Sequence, residues 1–299
     1  MKKQQANKKR ISIAKYLSIF NAVILFLFVA TATFGQVKTV NDRSDIKISE
    51  NLRYGDKPGG IGQDTSSDRT LDLYIPGDNA NNKLPVLIFI HGGGFSGGDK
   101  MTKSNREFCM KIASHGYAVV SINYYLTLKH EKVSGASCSG NMAKGLPANG
   151  FHPKLQEAIR NASEDTQLAL KWIKNNANKY KLDQTKVAIS GGSAGGMTAL
   201  YTAYVSNQKI LPIKGVVNLW GGLENAGLIK KGAAPLLTYH GDLDKLIHVD
   251  YAYAIKRRMD EIGNQAVLHI MEGKGHARYD LITKEKIPEI ADFLKATLK

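Results

Sequence analysis

Ser193 lies in Gly191-Gly192-Ser193-Ala194-Gly195, a G-x-S-x-G run between an apolar segment (187–190) and a segment with helical spacing (194–206). In that context the serine is read as the nucleophile of a strand-to-helix turn, its hydroxyl held above the sheet. A hydroxyl is a poor nucleophile at neutral pH. It needs an imidazole to take its proton and a carboxylate to hold the imidazole. Downstream, His276 follows Gly273, Lys274 and Gly275 at the end of one apolar run, and Asp244 follows another, so the order is Ser, Asp, His. Asp244 is the candidate acid, with Asp242 in the same loop as the alternative. His240 and His269 fall inside strand-like runs and are read as structural.

A glycine-rich turn can equally cradle a phosphate, so the serine motif does not stand alone. His91-Gly92-Gly93-Gly94-Phe95 follows a second apolar run, and bare glycine amides are what a developing oxyanion requires. Gly93 and Gly94, together with Ala194 at the start of the helix after Ser193, are the expected oxyanion donors. His91 is expected to orient that loop rather than act as the base. Phe95, Trp220 and Leu223 are candidates for lining the cleft, with Phe95 and Trp220 the expected substrate contacts. No metal-ligand set is expected.

These side chains must be carried by something rigid. Residues 69–76 alternate apolar and polar side chains, as a half-buried strand does. The runs 84–90, 117–124, 187–190, 213–220, 235–240 and 266–271 are nearly continuous in apolar residues, which suits strands covered on both faces. Helical patterns fall between them at 105–114, 155–180, 194–206, 250–262 and 287–298. Alternating strands and helices predict an α/β fold with a mostly parallel sheet. Residues 127–152 are rich in Gly, Ser, Lys and Asn and have no period, so they read as a lid-like insertion.

The chain has 299 residues with 43% hydrophobic and 22% charged, which excludes a largely disordered chain and a polytopic membrane protein. Lys plus Arg number 41 against 26 Asp plus Glu, for a net +15. Six of these bases (Lys2, Lys3, Lys8, Lys9, Arg10, Lys15) lie in residues 1–35, which hold no acid. The rest are scattered among acids, so no nucleic-acid surface is expected. Residues 17–30 form one apolar stretch, shorter than the ~20 residues of a spanning helix. With the basic residues before it and small residues after it, the segment 1–35 reads as a signal peptide, and 36–299 as a single domain. The expected location is secreted or periplasmic; contact with a membrane would come only through an uncleaved leader. Cys109 and Cys138, the two cysteines, form either one bridge or two thiols. The sequence leaves the oligomeric state open.

At HGGGF (91–95), GGSAGG (191–196), HGDLDKLIHV (240–249) and GKGHA (273–277) the chain resembles the α/β-hydrolase superfamily, and within it the hormone-sensitive-lipase-like and feruloyl-esterase-like carboxylesterases. The resemblance runs from about Arg69 to the C-terminus. It implies an eight-stranded sheet, no cofactor, and hydrolysis of small-molecule or polysaccharide esters through an acyl-enzyme. Exported relatives often remove acetyl or feruloyl groups from plant polysaccharide. The family usually has a proline where this chain has His248. A serine peptidase or amidase on the same fold, or a noncatalytic carbohydrate-binding protein, is the alternative function.

Overall fold

The computed structural model describes residues 45–77 and 83–299. The segment 1–35, read as a leader, lies outside them.

Eight strands form one sheet in the order β1-β2-β4-β3-β5-β6-β7-β8. They are β1 (Ile46–Arg53), β2 (Thr70–Pro76), β3 (Leu84–Ile90), β4 (Ala118–Ile122), β5 (Leu182–Gly192), β6 (Ile213–Leu219), β7 (Leu236–Gly241) and β8 (Ala266–Met271). β1 pairs antiparallel with β2 and β2 antiparallel with β4; every other pairing is parallel. The parallel strands are those with unbroken apolar runs, because helices cover both of their faces.

Among the described residues, five helices longer than two turns connect or cover the strands: α1 (Lys103–Ser114), α2 (Pro153–Tyr180), α3 (Ala194–Tyr204), α4 (Asp250–Glu261) and α5 (Ile287–Thr297). Side chains that alternate along β3 separate into two cores. Val86, Ile88 and Ile90 pack with α2, α3 and α4, whereas Leu87 and Phe89 pack with α1 and α5. This alternation follows from successive strand residues pointing to opposite faces.

The expected fold class holds, and β1 is the strand absent from the sequence reading. None of its residues is buried, and a register shift between Ser49 and Leu52, with Asn51 at φ 56°, turns Leu52 to the opposite core from Ile46 and Ile48, so its apolar pattern is broken. The segment 127–152 holds two short helical turns, Thr127–His130 and Cys138–Met142. Cys109 and Cys138 are both free thiols. They lie in different cores on opposite faces of the sheet, so the bridged alternative is ruled out by the body of the sheet between them.

Candidate active site

Ser193 occupies a backbone conformation that costs a side-chain-bearing residue about 1–3 kcal/mol, φ 56° and ψ −121°. The surroundings enforce it. Ser193 N–H donates to Leu219 O at 2.9 Å, and the Ser193 carbonyl accepts from Met197 N–H at 2.9 Å. Only glycine fits at position 195: a Cβ there would lie 2.0 Å from Ile90 O. β5 therefore delivers Ser193 to the carboxyl edge of the sheet, and α3 leaves it abruptly.

Three distant segments converge on that hydroxyl. His276 Nε2 lies 2.8 Å from Ser193 Oγ, and His276 Nδ1 lies 2.6 Å from Asp244 Oδ2. The Asp244 carboxylate is fully buried, and its other oxygen accepts from the Leu246 and Ile247 amides at 2.9 and 3.0 Å. Burial alone would raise its pKa, but hydrogen bonds from His240 and His276 outweigh it and hold the group well below the usual carboxylate range. Asp242 is not the acid in reach: it is exposed, and its Oδ1 accepts from Lys274 N–H at 3.3 Å.

His240 has a part that its strand position did not announce. Its Nε2 donates to Ile247 O at 2.8 Å and stands 3.3 Å from Asp244 Oδ2, the same oxygen that meets His276, so it is a second brace on the carboxylate. His248 departs from the proline expected by family pattern, with a consequence. Its N–H donates to Met142 O at 3.1 Å, a bond that proline could not make, and it ties the acid loop to the insertion.

The oxyanion side is built on left-handed glycines. Gly93 has φ 114° and Gly94 has φ 63°. The Gly93 carbonyl accepts from Ser96 and Gly97, whereas the Gly93 and Gly94 amides have no acceptor among the described residues. Ala194 is the first residue of α3, where an amide has no intrahelical acceptor. The three expected donors thus have their amides free, as an oxyanion site requires.

His91 is fully buried, stacked on Tyr124 with ring centroids 4.6 Å apart, and its Nδ1 donates to Gly92 O at 2.6 Å. Burial pushes its imidazole down to about 4, so it is neutral at pH 7 and props the loop, as expected. The loop is anchored at its far end by Lys100, whose Nζ lies 2.8 Å from Asp72 Oδ1 in a fully buried ion pair.

Ser193 opens into a cleft of about 720 Å³. Trp220 borders it from within the core: the residue is fully buried, with its ring edge-on to His276 at 6.4 Å. Phe95 does not: it is fully buried, edge-on to Tyr124 at 6.4 Å, and belongs to the core. Its positive φ, 61°, turns the side chain of this non-glycine residue inward just after the glycine run. Leu223 is likewise core. The insertion reaches the cleft through Ser137, Cys138 and Ser139. Tyr279 and Asn105 also line it and were missed by sequence reasoning; the nearness of Tyr279 to His276 in the chain was the available signal. Among the described residues, no group of three or more His, Cys, Asp or Glu is gathered to hold a metal ion.

The BD-FAE family model matches residues 71–136 and 153–226, breaking off over the part of the insertion that reaches the cleft. Fumonisin B1 esterase of Sphingopyxis macrogoltabida is 28% identical over 180 residues, 56% of this chain and 29% of that protein. Carboxylesterase NlhH of Mycobacterium tuberculosis is 26% identical over 169 residues, 56% of this chain and 41% of that protein. The chain thus spans less than half the length of these curated relatives. Among solved structures, a truncated carbohydrate esterase from gut microbiota superposes with a TM-score of 0.63 at 15% identity, covering 86% of this chain and 98% of that one. Brefeldin A esterase, described as a bacterial homologue of human hormone sensitive lipase, superposes at 0.60 and 17%, covering 86% and 79%. Together, the family match, the curated carboxylesterase relatives and the superposed esterases support an α/β-hydrolase of the hormone-sensitive-lipase-like esterase kind.

Proposed function

We propose that this protein is an exported serine carboxylesterase that cleaves small acyl or aryl esters through an acyl-enzyme. The observation that carries the reading is the continuous relay Ser193 Oγ, His276 Nε2, His276 Nδ1, Asp244 Oδ2, at 2.8 and 2.6 Å, beside unengaged amides. As Ser193 Oγ attacks the ester carbonyl, its proton passes to His276 Nε2. Asp244 stabilises the imidazolium and fixes the tautomer that can accept that proton. The Gly93, Gly94 and Ala194 amides receive the negative charge on the carbonyl oxygen. His276 then gives the proton to the departing alcohol, and a water deprotonated by His276 releases the acid from Ser193.

Acetyl or feruloyl groups on plant polysaccharide are the proposed substrates. The likeness to a carbohydrate esterase supports this, as does a cleft of about 720 Å³ bordered by the hydroxyls of Thr102, Ser137 and Ser139. Export is supported by the basic, then apolar, then small-residue order of residues 1–35. The test is a hydrolysis panel of acetyl, butyryl, octanoyl and feruloyl esters, acetylated xylan and a peptide amide, run with wild type and Ser193→Ala. Ester turnover lost in the variant supports the reading; turnover of the amide alone, or turnover retained by Ser193→Ala, overturns it.

A further inference from the structure

The register of β1 on β2 slips at one place. Ser49 pairs with Leu73 and Leu52 with Leu71, so Glu50 and Asn51 together stand opposite Asp72. This is a β-bulge, a feature that re-aims side chains and recurs beside active sites. Asn51 takes the left-handed backbone, φ 56°, and its amide and side-chain oxygen are both used. Its N–H donates to Asp72 Oδ1 at 2.9 Å, and its Oδ1 accepts from Lys100 Nζ at 2.8 Å. Lys100 Nζ also lies 2.8 Å from Asp72 Oδ1, and both of these charged side chains are buried. Glu50, the other bulge residue, accepts from Arg106 of α1 at 2.7 Å.

Lys100 closes the loop that begins at His91. A Cβ on Gly98 would lie 2.2 Å from Gly92 O, so the two ends of the loop are in backbone contact. Between them, Gly97 N–H donates to Gly93 O at 3.0 Å. The Gly93 and Gly94 amides have no acceptor of their own among the described residues, so their aim depends on where Gly97 and Gly98 lie. Those two are fixed through their neighbours. Lys100 N–H donates to Asn123 Oδ1 at 2.7 Å, Asn123 Nδ2 donates to Asp99 Oδ2 at 3.1 Å, and Asn105 Nδ2 donates to Asp99 O at 2.9 Å.

A buried ion pair often adds nothing over apolar side chains of the same volume. A left-handed asparagine and an interrupted ladder cost stability rather than add it. The three together on the edge of the sheet therefore call for another reason. Resting on the ester-hydrolase reading, we infer that Asn51, Asp72 and Lys100 are positioning residues for the oxyanion donors. The bulge and the ion pair fix residues 98–100, and through the contacts at Gly92 and Gly93 they fix where the Gly93 and Gly94 amides point. A displacement of about 1 Å at a reacting centre is enough to cost ~10²-fold in rate.

Two variants remove this support without leaving a buried charge unpaired. Lys100→Met with Asp72→Asn puts neutral side chains of similar size in place of the pair and keeps an acceptor for the Asn51 amide. Asn51→Gly keeps the left-handed backbone, which glycine adopts freely, and removes only the acceptor for Lys100. Each is measured by 4-nitrophenyl acetate hydrolysis, thermal melting and inhibition by a trifluoromethyl ketone, whose carbonyl takes up Ser193 Oγ and presents the resulting oxyanion to the same amides. The double variant is expected to lose about 10²-fold in kcat and Asn51→Gly about tenfold, with KM held within about threefold and Tm close to that of wild type. The inhibition constant should rise by the factor that kcat falls, a parallel that general loosening of the fold does not produce. A kcat within about twofold of wild type in either variant, or an unchanged inhibition constant, overturns the inference. A lowered Tm with unchanged kcat does so too, and makes the cluster structural only. Should the double variant fail to fold, Asn51→Gly decides alone. Wild type that cleaves no ester refutes the hydrolase reading itself; wild-type turnover with unaltered variants refutes only the positioning.

Discussion

Asp244→Asn changes one atom of the site and inverts its proton chemistry. The amide oxygen keeps the bonds that Asp244 Oδ1 now accepts from the Leu246 and Ile247 amides, so the loop stays in place. The new NH2 group then stands where Oδ2 now lies, 2.6 Å from His276 Nδ1. Two donors cannot face each other, so the imidazole must carry its proton on Nε2, the atom 2.8 Å from Ser193 Oγ. In that tautomer it cannot accept the serine proton, and a loss of about 10⁴ in kcat is expected. The stability change is smaller. One buried charge-assisted hydrogen bond is worth roughly 1.5–3 kcal/mol, or about 3–6 °C in Tm for a chain of this size. Asp242→Asn, whose carboxylate meets only the Lys274 amide at 3.3 Å, is expected to stay within a fewfold of wild type. The assay is hydrolysis of 4-nitrophenyl acetate alongside thermal melting of each variant. Greater damage from Asp242→Asn, or retention of a tenth of the rate by Asp244→Asn, would refute the assignment of the acid.

Gly93→Ala places a Cβ 2.1 Å from Gly97 O at φ 114°, so the loop must move and carry its amides away from the carbonyl; kcat should fall about 10²–10³-fold, and the melting curve should shift down with the strain of the displaced loop. Cys109 and Cys138 are buried thiols, the latter pushed up to about 12 by burial; thiol titration without reductant should find two in denaturant and no fast one in the native state. Because His91 is held neutral down to about pH 4 while an unfolded histidine titrates near ~6.5, unfolding takes up a proton between those values. That stability is complete above ~6.5 and is lost as pH falls, at up to ~1.4 kcal/mol per pH unit, a slope that urea melts at stepped pH should show and His91→Gln should remove.

Much of this arrangement was legible because the chemistry sits where local rules are strict. A nucleophile at a strand-to-helix turn needs small neighbours, and Gly195 under Ile90 O is the physical form of that need. β3 was readable to the residue because a strand buried along nearly its whole length leaves no polar position to blur its ends. The choice of Asp244 over Asp242 was open in the sequence, since both ride the same loop and only the fold decides which side chain turns inward. Phe95 was misplaced for a related reason. Its neighbours line the cleft, but a positive φ turns its ring into the core, and backbone dihedrals of non-glycine residues are not written in residue type. β1 was missed because a half-exposed edge strand whose register shift sends its apolar residues to different faces has no clean alternation. The partnership of His240 with Asp244 depends on a turn of four residues closing back on itself, a contact that strand periodicity does not encode.

The most direct measurement is reaction of the folded protein with a fluorophosphonate probe, followed by peptide mass spectrometry. The phosphonyl group should appear once, on Ser193, and labelling should slow at least a hundredfold in His276→Ala, since the hydroxyl then has no acceptor for its proton 2.8 Å away. A protein that labels elsewhere, or that labels Ser193 equally fast without His276, would contradict the account.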